Sequence, residues 1–317
     1  MDEPLNETEE EAMADFTAYH NGEWMPLGEL KIDPQDRGAA IGDQVVEVVR
    51  TFGGKSFRMK EHIDRLYRSL KYVRIDPGLS PKEMVDISEE GISRNEHLRS
   101  QVGDFSLTQL VTRGPNGPGG PRAWSAGPPN VYVKVGPASS AWYARYYAEG
   151  VHGAITRTRS YSPEAIDPKV KHLSRMNMHL AELEANDVDP GAWPILSDMD
   201  GNLTEGSGYN VFMVTNGVIR TPGDRALLAG VSRSMVLDLA RQLDIPAAEE
   251  DLQPYDLYTS DEAFFTSTPF SLLPVTQVDR RLIGDGKPGP VTQQLLAAWS
   301  EAVGMDIVDQ AMRFSDS

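Results

Sequence analysis

The chain has 317 residues, with 30 Lys and Arg against 47 Asp and Glu, and its formal net charge of −17 excludes most nucleic-acid binding proteins, which need clustered cations. Apolar residues make up 40% of the chain, but no apolar run approaches the roughly 20 residues that cross a bilayer, so we expect no membrane span. The absence of Cys excludes disulfides and thiolate metal sites, and it is compatible with a reducing, cytoplasmic compartment.

The N-terminus is strongly acidic, with seven Asp and Glu and no Lys or Arg in its first fifteen residues. Neither a signal peptide nor a transit peptide has this composition, and we expect residues 1–17 to form an acidic, disordered tail. The length favours about two domains. We expect a small N-terminal α/β domain over 18–136, a linker over 137–143 and a larger C-terminal domain over 144–317.

The first half of the chain alternates strand and helix patterns. β-Branched runs indicate strands, and apolar residues at spacings of three and four indicate helices. A segment rich in Gly and Pro covers 114–129; its length suits either a functional loop or disorder, and its composition alone favours disorder. The predicted elements are a hairpin with Asn21-Gly22 at its turn, a strand over 45–52, helices over 60–73 and 81–97, and strands over 105–112 and 131–135.

The second half has the same mixed character, which is typical of α/β or α+β folds. One predicted helix has a single apolar stripe formed by Leu173, Met176, Leu180 and Leu183. The predicted elements are helices over 173–186, 232–243 and 291–303, with strands over 154–158, 193–197, 210–215, 218–221 and 263–267.

The common catalytic signatures are missing from the sequence. There is no Walker loop, no GxSxG elbow, no HExxH and no GxGxxG after a predicted strand. The six His residues show no metal-ligand spacing, so we expect no metal site.

Several residues suit an anionic, aromatic ligand. Gly230-Val231-Ser232-Arg233 opens a predicted helix whose free N–H groups would attract an anion, although an ordinary Ser cap has the same pattern. Thr266-Ser267-Thr268-Pro269 places hydroxyls at the end of a predicted strand, where a simple turn is the alternative. Arg65 lies on the polar face of the first long helix and could equally be solvated.

Two further residues have the chemistry of cofactor ligands. Lys171 immediately precedes an amphipathic helix, and partial burial there would lower its pKa and make it a nucleophile, whereas an exposed lysine would have no such role. Glu205 lies in a loop beside Gly206 and Gly208, where a carboxylate is usually solvated. Next to a pyridine nitrogen, the same carboxylate would keep that nitrogen protonated.

In chain order, these residues resemble the class IV aminotransferases. The resemblance runs from about Tyr19 to beyond Thr292, and many motifs occur in the order of the family. The matching motifs are Asp36-Arg37-Gly38, Glu61-His62-Ile63-Asp64-Arg65-Leu66, Thr112-Arg113-Gly114, Asp167-Pro168, Glu205-Gly206, Leu228-x-Gly230-Val231-Ser232-Arg233 and Thr266-Ser267-Thr268.

The resemblance implies the two-domain fold type IV, with a small α/β sandwich domain and a larger pseudo-barrel domain, and a homodimer with a shared active site. It also implies pyridoxal 5′-phosphate as cofactor and an amino donor and a 2-oxo acid as substrates. Lys171 is the expected covalent lysine, preferred over Lys169 because its thirteen-residue spacing to Glu184 matches the family. Glu205 matches the partner of the pyridine nitrogen. The residues that match the phosphate site are Arg65, Val231, Ser232 and Thr268.

Four residues bear on substrate choice. In the D-amino acid transaminases, an Arg-x-His in the loop after Thr-Arg-Gly holds the substrate carboxylate, and this chain has Arg122 and Trp124 there, with Trp in place of His. Arg122 is either such a clamp or a solvated arginine. Val46 and Val48 lie on the strand that faces the substrate in the family, and Val46 replaces a common aromatic residue, which implies a roomier apolar pocket.

The sequence therefore predicts a transaminase for D-amino acids or (R)-amines. The characteristic His and Tyr of the (R)-selective amine transaminases are replaced here by Ile41 and Val46. A branched-chain L-amino acid aminotransferase and a lyase resembling aminodeoxychorismate lyase are the alternatives on the same scaffold.

Overall fold

The computed structural model describes residues 15–138 and 140–314, so most of the predicted tail lies outside the described residues. Within that predicted tail, Phe16 is folded, because it is fully buried in the first core. The chain divides into two compact units. The first contains the described residues up to Ala138 together with Val170–Ser174, and the second contains the remainder. The segment around Lys171 was expected in the second domain, but its contacts assign it to the first unit.

The first unit is built on an antiparallel six-stranded sheet of order β2-β1-β6-β5-β3-β4. The predicted hairpin is confirmed: Asn21 and Gly22 have φ of 48° and 100°, as a tight turn between twisted strands requires. The strands are β1 (Thr17–His20), β2 (Glu23–Pro26), β3 (Gln44–Phe52), β4 (Lys55–Ser56), β5 (Phe105–Thr112) and β6 (Asn130–Pro137).

Helices cover one face of this sheet. Val45 and Val49 of β3 join the main core with Ile63, Leu66 and Leu70, which recur on one side of a helix at spacings of three and four. The helices of the unit are α1 (Arg37–Ile41), α2 (Met59–Val73), α3 (Pro81–Asn95) and α4 (Arg99–Val102).

The opposite side of the sheet, which we call the second face, has its own apolar cluster. Val46 of β3, Leu110 of β5 and Tyr132 of β6 are buried there, with Leu30 and Val48 packed against them. Because side chains alternate along a strand, Val46 and Val48 point away from the helix-covered core.

The segment over 114–129 folds back on itself. Asn116 bridges to Ala126, the N–H of Gly127 donates to the carbonyl of Pro115 at 2.8 Å, and the carbonyl of Gly114 accepts from Arg37 at 3.0 Å. The prediction of disorder from composition was wrong, because these main-chain hydrogen bonds hold both ends of the segment.

The second unit contains an eight-stranded mixed sheet of order β11-β10-β9-β12-β13-β7-β8, with β14 paired to β13. No helix of the described ranges is long and apolar enough to span a bilayer. The strands are β7 (Val151–Arg159), β8 (Trp193–Ser197), β9 (Asn210–Thr215), β10 (Val218–Pro222), β11 (Ala247–Glu250), β12 (Glu262–Ser267), β13 (Ser271–Val278) and β14 (Arg281–Leu282). The helices are α5 (Tyr146–Glu149), α6 (Met176–Val188), α7 (Val231–Gln242), α8 (Pro254–Tyr258), α9 (Pro290–Val303) and α10 (Ile307–Arg313).

Candidate active site

Lys171 lies beside the start of strand β3 in the first unit. Its carbonyl accepts a hydrogen bond from the N–H of Val46 at 2.8 Å, and its own N–H donates to Ser69 Oγ at 3.2 Å. The next residue, His172, forms a bridge with Val45. These hydrogen bonds hold the main chain of Lys171 in place. The residue is half-buried, so its side chain is partly removed from water.

A buried charge cluster occupies the helix-covered side of the same strand. Glu47 is fully buried, and its carboxylate accepts from Arg65 Nε at 2.8 Å and from Arg65 Nη2 at 2.6 Å. His62 Nδ1 lies 2.9 Å from Glu47 Oε1. Arg65 and His62 are both on α2, three residues apart, so one helix face presents both to the strand.

The protonation states of this cluster follow from its surroundings. Burial raises the pKa of Glu47, but the charge of Arg65 and the contact with His62 outweigh burial and hold the pKa well below its ordinary value. Burial lowers the pKa of His62, Glu47 opposes this, and Arg65 and Lys171 add to the lowering. Glu47 is therefore ionised and His62 neutral at pH 7, with Nδ1–H donating to the carboxylate.

Glu205 lies at the entrance to strand β9 in the second unit, with 5% of its surface exposed. Its Oε2 accepts from the N–H of Leu228 at 3.0 Å. Asn210 Nδ2 donates to the carbonyl of Leu228 at 2.9 Å, and Glu205 and Asn210 also bridge through their main chains. The main chain of Leu228 therefore holds both side chains in place.

The N-terminus of α7 lies against this group. Gly230 is the N-cap residue and makes no side-chain capping bond, while Val231 and Ser232 in the first turn are buried. A Cβ on Gly230 would lie 2.1 Å from Asn210 Oδ1. Only glycine allows the helix to begin this close to Asn210.

Thr268 lies at the same end of the second unit's sheet. It is half-buried in the turn that follows β12. The preceding Ser267 donates from Oγ to the carbonyl of Gly208 at 2.6 Å, and Thr266 is registered with Asn210. The structure therefore brings Thr268 to the end of the sheet that holds Glu205.

These donors suit pyridoxal phosphate. A helix N-terminus without a side-chain cap, with Ser232 in its first turn, matches a phosphate group, and the hydroxyl of Thr268 is a further donor in the same unit. The buried carboxylate of Glu205 suits a pyridinium nitrogen, and Lys171 is a primary amine.

Arg122 and Trp124 lie together in the loop of the first unit. The guanidinium carbon of Arg122 is 5.7 Å from the centre of the Trp124 ring, and Trp124 is 84% exposed. Arg122 is also exposed, and its hydrogen bonds connect it to Gly120 and Ser125 of the same loop. These contacts do not bring Arg122 to the second face, where Val46 and Val48 lie.

Sequence reasoning assigned no role to Glu47, His62 or Asn210. A single Glu in the apolar β-branched run of β3 was the available signal for Glu47, because a carboxylate in a buried strand needs a cationic partner. For Asn210, the sequence offered only its place after two glycines.

A comparison with known families identifies the chain. A family model described as amino-transferase class IV matches residues 44–278, well over half of the sequence. The chain belongs to the class IV aminotransferases. Members of this family are transaminases that depend on pyridoxal phosphate, which agrees with the donor set described above. In residues 15–138 and 140–314 of this aminotransferase, no group of three or more His, Asp or Glu side chains could hold a metal ion.

The relatives of this aminotransferase include two kinds of enzyme. A putative branched-chain-amino-acid aminotransferase of Methanocaldococcus jannaschii is 35% identical over 87% of this chain and 93% of its own. A D-alanine aminotransferase of Staphylococcus haemolyticus is 28% identical over 90% of this chain and 97% of its own.

Solved structures match the fold of the aminotransferase. The branched-chain amino acid aminotransferase of Escherichia coli superimposes with a TM-score of 0.83 at 26% identity, covering 90% of this chain and 94% of its own. A T.th. branched-chain amino acid aminotransferase, solved with pyridoxamine 5′-phosphate, gives a TM-score of 0.82 at 25% identity, over 95% of this chain and 97% of its own. The predicted two-domain α/β fold of type IV is confirmed.

Proposed function

We propose that this aminotransferase moves the amino group of a D-amino acid or an (R)-amine with an apolar side chain to a 2-oxo acid. The observation that carries an apolar donor is the cluster of Val46, Leu110 and Tyr132 on the second face, with Val48 packed against it. Arg122 forms no ion pair with any described residue, which leaves its guanidinium able to bind a donor carboxylate.

The proposed cofactor is pyridoxal 5′-phosphate. Ser232, the N–H groups of the first turn of α7 and Thr268 would bind the phosphate, with the guanidinium of Arg65 as a further donor. Glu205 would accept a hydrogen bond from the protonated pyridine nitrogen, and the Leu228 N–H bond supports this role because it holds the carboxylate in one orientation. Lys171 would bind the cofactor covalently.

Lys171 is also the proposed proton carrier. When bound, the cofactor supplies an electron sink that makes the substrate Cα–H acidic. Lys171 Nζ would take up this proton as a general base and release it again during the transfer. The hydrogen bonds of its main chain to Val46 and Ser69 support this role, because a general base must be positioned within reach of the proton.

A second candidate is a branched-chain L-amino acid aminotransferase. The same apolar cluster would accommodate leucine or valine side chains. The name of the Methanocaldococcus jannaschii relative favours this candidate, and that of the Staphylococcus haemolyticus relative favours a D-amino acid.

We also propose a homodimer in the cytoplasm. The exposed apolar side chains of α6, described below, support self-association. The cysteine-free composition agrees with a cytoplasmic enzyme, and both assignments stay predictions.

The deciding experiment uses the purified, cofactor-loaded enzyme with three donors: D-alanine, (R)-1-phenylethylamine and L-leucine. Conversion of the cofactor to its pyridoxamine form is followed by absorbance. We expect D-alanine and (R)-1-phenylethylamine to convert it and L-leucine to leave it unchanged. Conversion by L-leucine alone would select the second candidate, and no conversion by any donor would contradict transamination. Pyruvate release from aminodeoxychorismate without an oxo acid would instead indicate a lyase.

A further inference from the structure

Lys171 belongs to a short segment, Val170–Ser174, that covers part of the open edge of β3. Strand β4 pairs with β3 only at the last two residues of β3, and no other strand of the described ranges lies beside the first half of this edge. His172 forms a bridge there with Val45, and the N–H of Val46 donates to the carbonyl of Lys171 at 2.8 Å. The strand therefore holds one side of the Lys171 main chain.

Ser69 of α2 holds the other side. Its Oγ accepts a hydrogen bond from the N–H of Lys171 at 3.2 Å, and the serine is only 2% exposed. The carbonyl of Lys171 is thus bound by the strand and its N–H by the helix. A hydrogen bond with a buried partner is costly to lose, since little water can take the place of the missing acceptor.

Ser69 also shares a helix face with the proposed phosphate ligand Arg65. The two residues are four apart, one turn of α2 and about 6 Å along its axis. Arg65 is itself fixed by two hydrogen bonds to the buried carboxylate of Glu47. One face of α2 therefore sets the spacing between the guanidinium of Arg65 and the main chain of Lys171.

We infer that Ser69 is a positioning residue that places Lys171 for its covalent bond to the cofactor. A lysine side chain is long and flexible, so its amine reaches one atom reproducibly only when its main chain is fixed. Without the Ser69 hydroxyl, the cofactor-free enzyme would lose part of this order, and formation of the covalent bond would have to restore it. This inference rests on the proposed function, because it takes Lys171 as the covalent lysine.

The test measures binding of pyridoxal phosphate and of pyridoxamine phosphate to the apoenzyme of wild type and of Ser69→Ala, by fluorescence titration. Pyridoxamine phosphate has the same ring and phosphate but no aldehyde, so it cannot form the covalent bond with Lys171. We expect Ser69→Ala to weaken binding of pyridoxal phosphate about 3- to 10-fold, the loss of one neutral hydrogen bond. Its affinity for pyridoxamine phosphate should change less than about twofold, because that ligand does not need Lys171 in place.

Ser88→Ala is the matched control. Ser88 is a fully buried serine on α3 of the same unit, and its hydroxyl bonds to the carbonyl of Met84 and to Gln109 Nε2. We expect this variant to bind both ligands within about twofold of wild type, since its contacts are separate from those of Lys171. If Ser88→Ala weakened pyridoxal phosphate binding as much as Ser69→Ala, the loss would reflect the packing of the unit, and the inference would be wrong.

A double substitution tests whether Ser69 acts through Lys171. Adding Ser69→Ala to Lys171→Ala should weaken pyridoxal phosphate binding no further, because the residue that Ser69 positions has lost its amine. A further loss in the double variant, equal losses for both ligands in Ser69→Ala, or no loss for either would overturn the inference and leave the proposed function intact. Pyridoxal phosphate binding of wild-type strength in Lys171→Ala would instead contradict the covalent role of Lys171 in the proposed function.

Discussion

Glu47 determines whether the buried charge of Arg65 can be tolerated. Its carboxylate binds Arg65 through two hydrogen bonds, and it also orients His62. An ionised carboxylate between a permanent cation and a neutral imidazole leaves the cluster close to electroneutral. Without Glu47, Arg65 would remain buried and would lose this counterion.

The first prediction concerns Glu47→Gln. We expect the free energy of unfolding to fall by about 3 kcal/mol at pH 7, because the amide cannot balance the charge of Arg65. The native pKa of Glu47 lies below its ordinary 4.5, so its stabilisation is complete above about pH 4.5 and is lost as the pH falls further. Urea unfolding at pH 7, 5 and 3 measures this loss. Between pH 5 and pH 3, the free energy of unfolding should fall by about 2 kcal/mol less in Glu47→Gln than in wild type.

A surface pair provides the control for Glu47→Gln. Glu90 binds Arg94 at 2.6 Å, but both side chains are nearly half exposed. Glu90→Gln should therefore cost less than about 1 kcal/mol. If Glu47→Gln cost no more than this control and kept the wild-type pH dependence, the buried ion pair would not stabilise the fold.

The second prediction concerns Lys171→Ala. We expect this variant to lose the visible absorbance of the covalently bound cofactor and all transamination. Lys169→Ala should keep both, because Lys169 is 42% exposed and lies 3.9 Å from Asp167 in a surface ion pair. Borohydride reduction of the wild-type enzyme followed by peptide mapping should find the cofactor mass on Lys171. A modified Lys169 would refute the assignment.

At the scale of elements, the second unit joins one strand, one loop and one helix at a single point. The main chain of Leu228 bonds to Glu205 through its N–H and to Asn210 through its carbonyl. Gly230 then begins α7 directly against Asn210. The orientation of Glu205 therefore depends on how closely α7 approaches β9.

The third prediction follows from this approach. Gly230 has φ of −66°, which alanine adopts without strain, so Gly230→Ala tests the steric contact with Asn210 alone. Asn210 has to move, and the Leu228 peptide and Glu205 move with it. We expect the affinity for pyridoxal phosphate to fall at least about tenfold while the fold is retained, a cost of about 1.4 kcal/mol. Fluorescence titration of the apoenzyme measures the affinity.

Gly223→Ala is the matched control for Gly230→Ala. Gly223 has φ of −60°, and a Cβ there would meet nothing within 4 Å. Equal cofactor affinity in the two variants would show that the contact between Gly230 and Asn210 does not shape the site.

The sequence predicted several of the long elements but not all of them. The strand over 105–112 is found at those residues, and the helices predicted over 60–73 and 291–303 start one residue earlier in the structure, because local periodicity determines such elements. The strands β11, β13 and β14 and the helix α10 were missed, because pairing and packing with other elements stabilise them. For the candidate site, the sequence predicted the chemical types of the residues and their order along the chain. The bond of Glu205 to Leu228 and the ion pair of Glu47 could not be predicted, since they join residues far apart in sequence.

Helix α6 shows another feature that the sequence alone does not predict. The apolar stripe was visible in the sequence, but periodicity cannot tell which face is covered. In the structure, α6 packs inward through Met178, Ala181 and Ala185. The stripe residues on the outside are exposed: Met176 is 72%, Leu180 52% and Leu183 66% accessible.

At the scale of the whole molecule, the net charge describes the surface and says little about the interior. Although the chain has a formal charge of −17, Arg65 and Lys134 are withdrawn from solvent in the first unit. An acidic surface repels other copies of the chain, so association needs an apolar contact that outweighs this repulsion.

The fourth prediction is that the outer stripe of α6 forms this contact in a homodimer. Three large apolar side chains on one helix face are unusual for a monomer surface and typical of an interface. We expect wild type to sediment at twice its 34.9 kDa mass and Leu180→Glu with Leu183→Glu to shift it toward the monomer, because buried carboxylates would face each other. Analytical ultracentrifugation measures the masses.

Met199→Glu separates this interface from a general effect of added charge. Met199 is 72% exposed in the same unit but lies outside α6, in the turn after β8, so this variant should remain a dimer. If the dimer survived the double substitution on α6, the contact would have to involve another surface. If wild type itself sedimented as a monomer, the exposed stripe would have no partner copy. Lower transaminase activity in the monomeric variant, with cofactor binding retained, would further indicate that the partner subunit contributes to the active site.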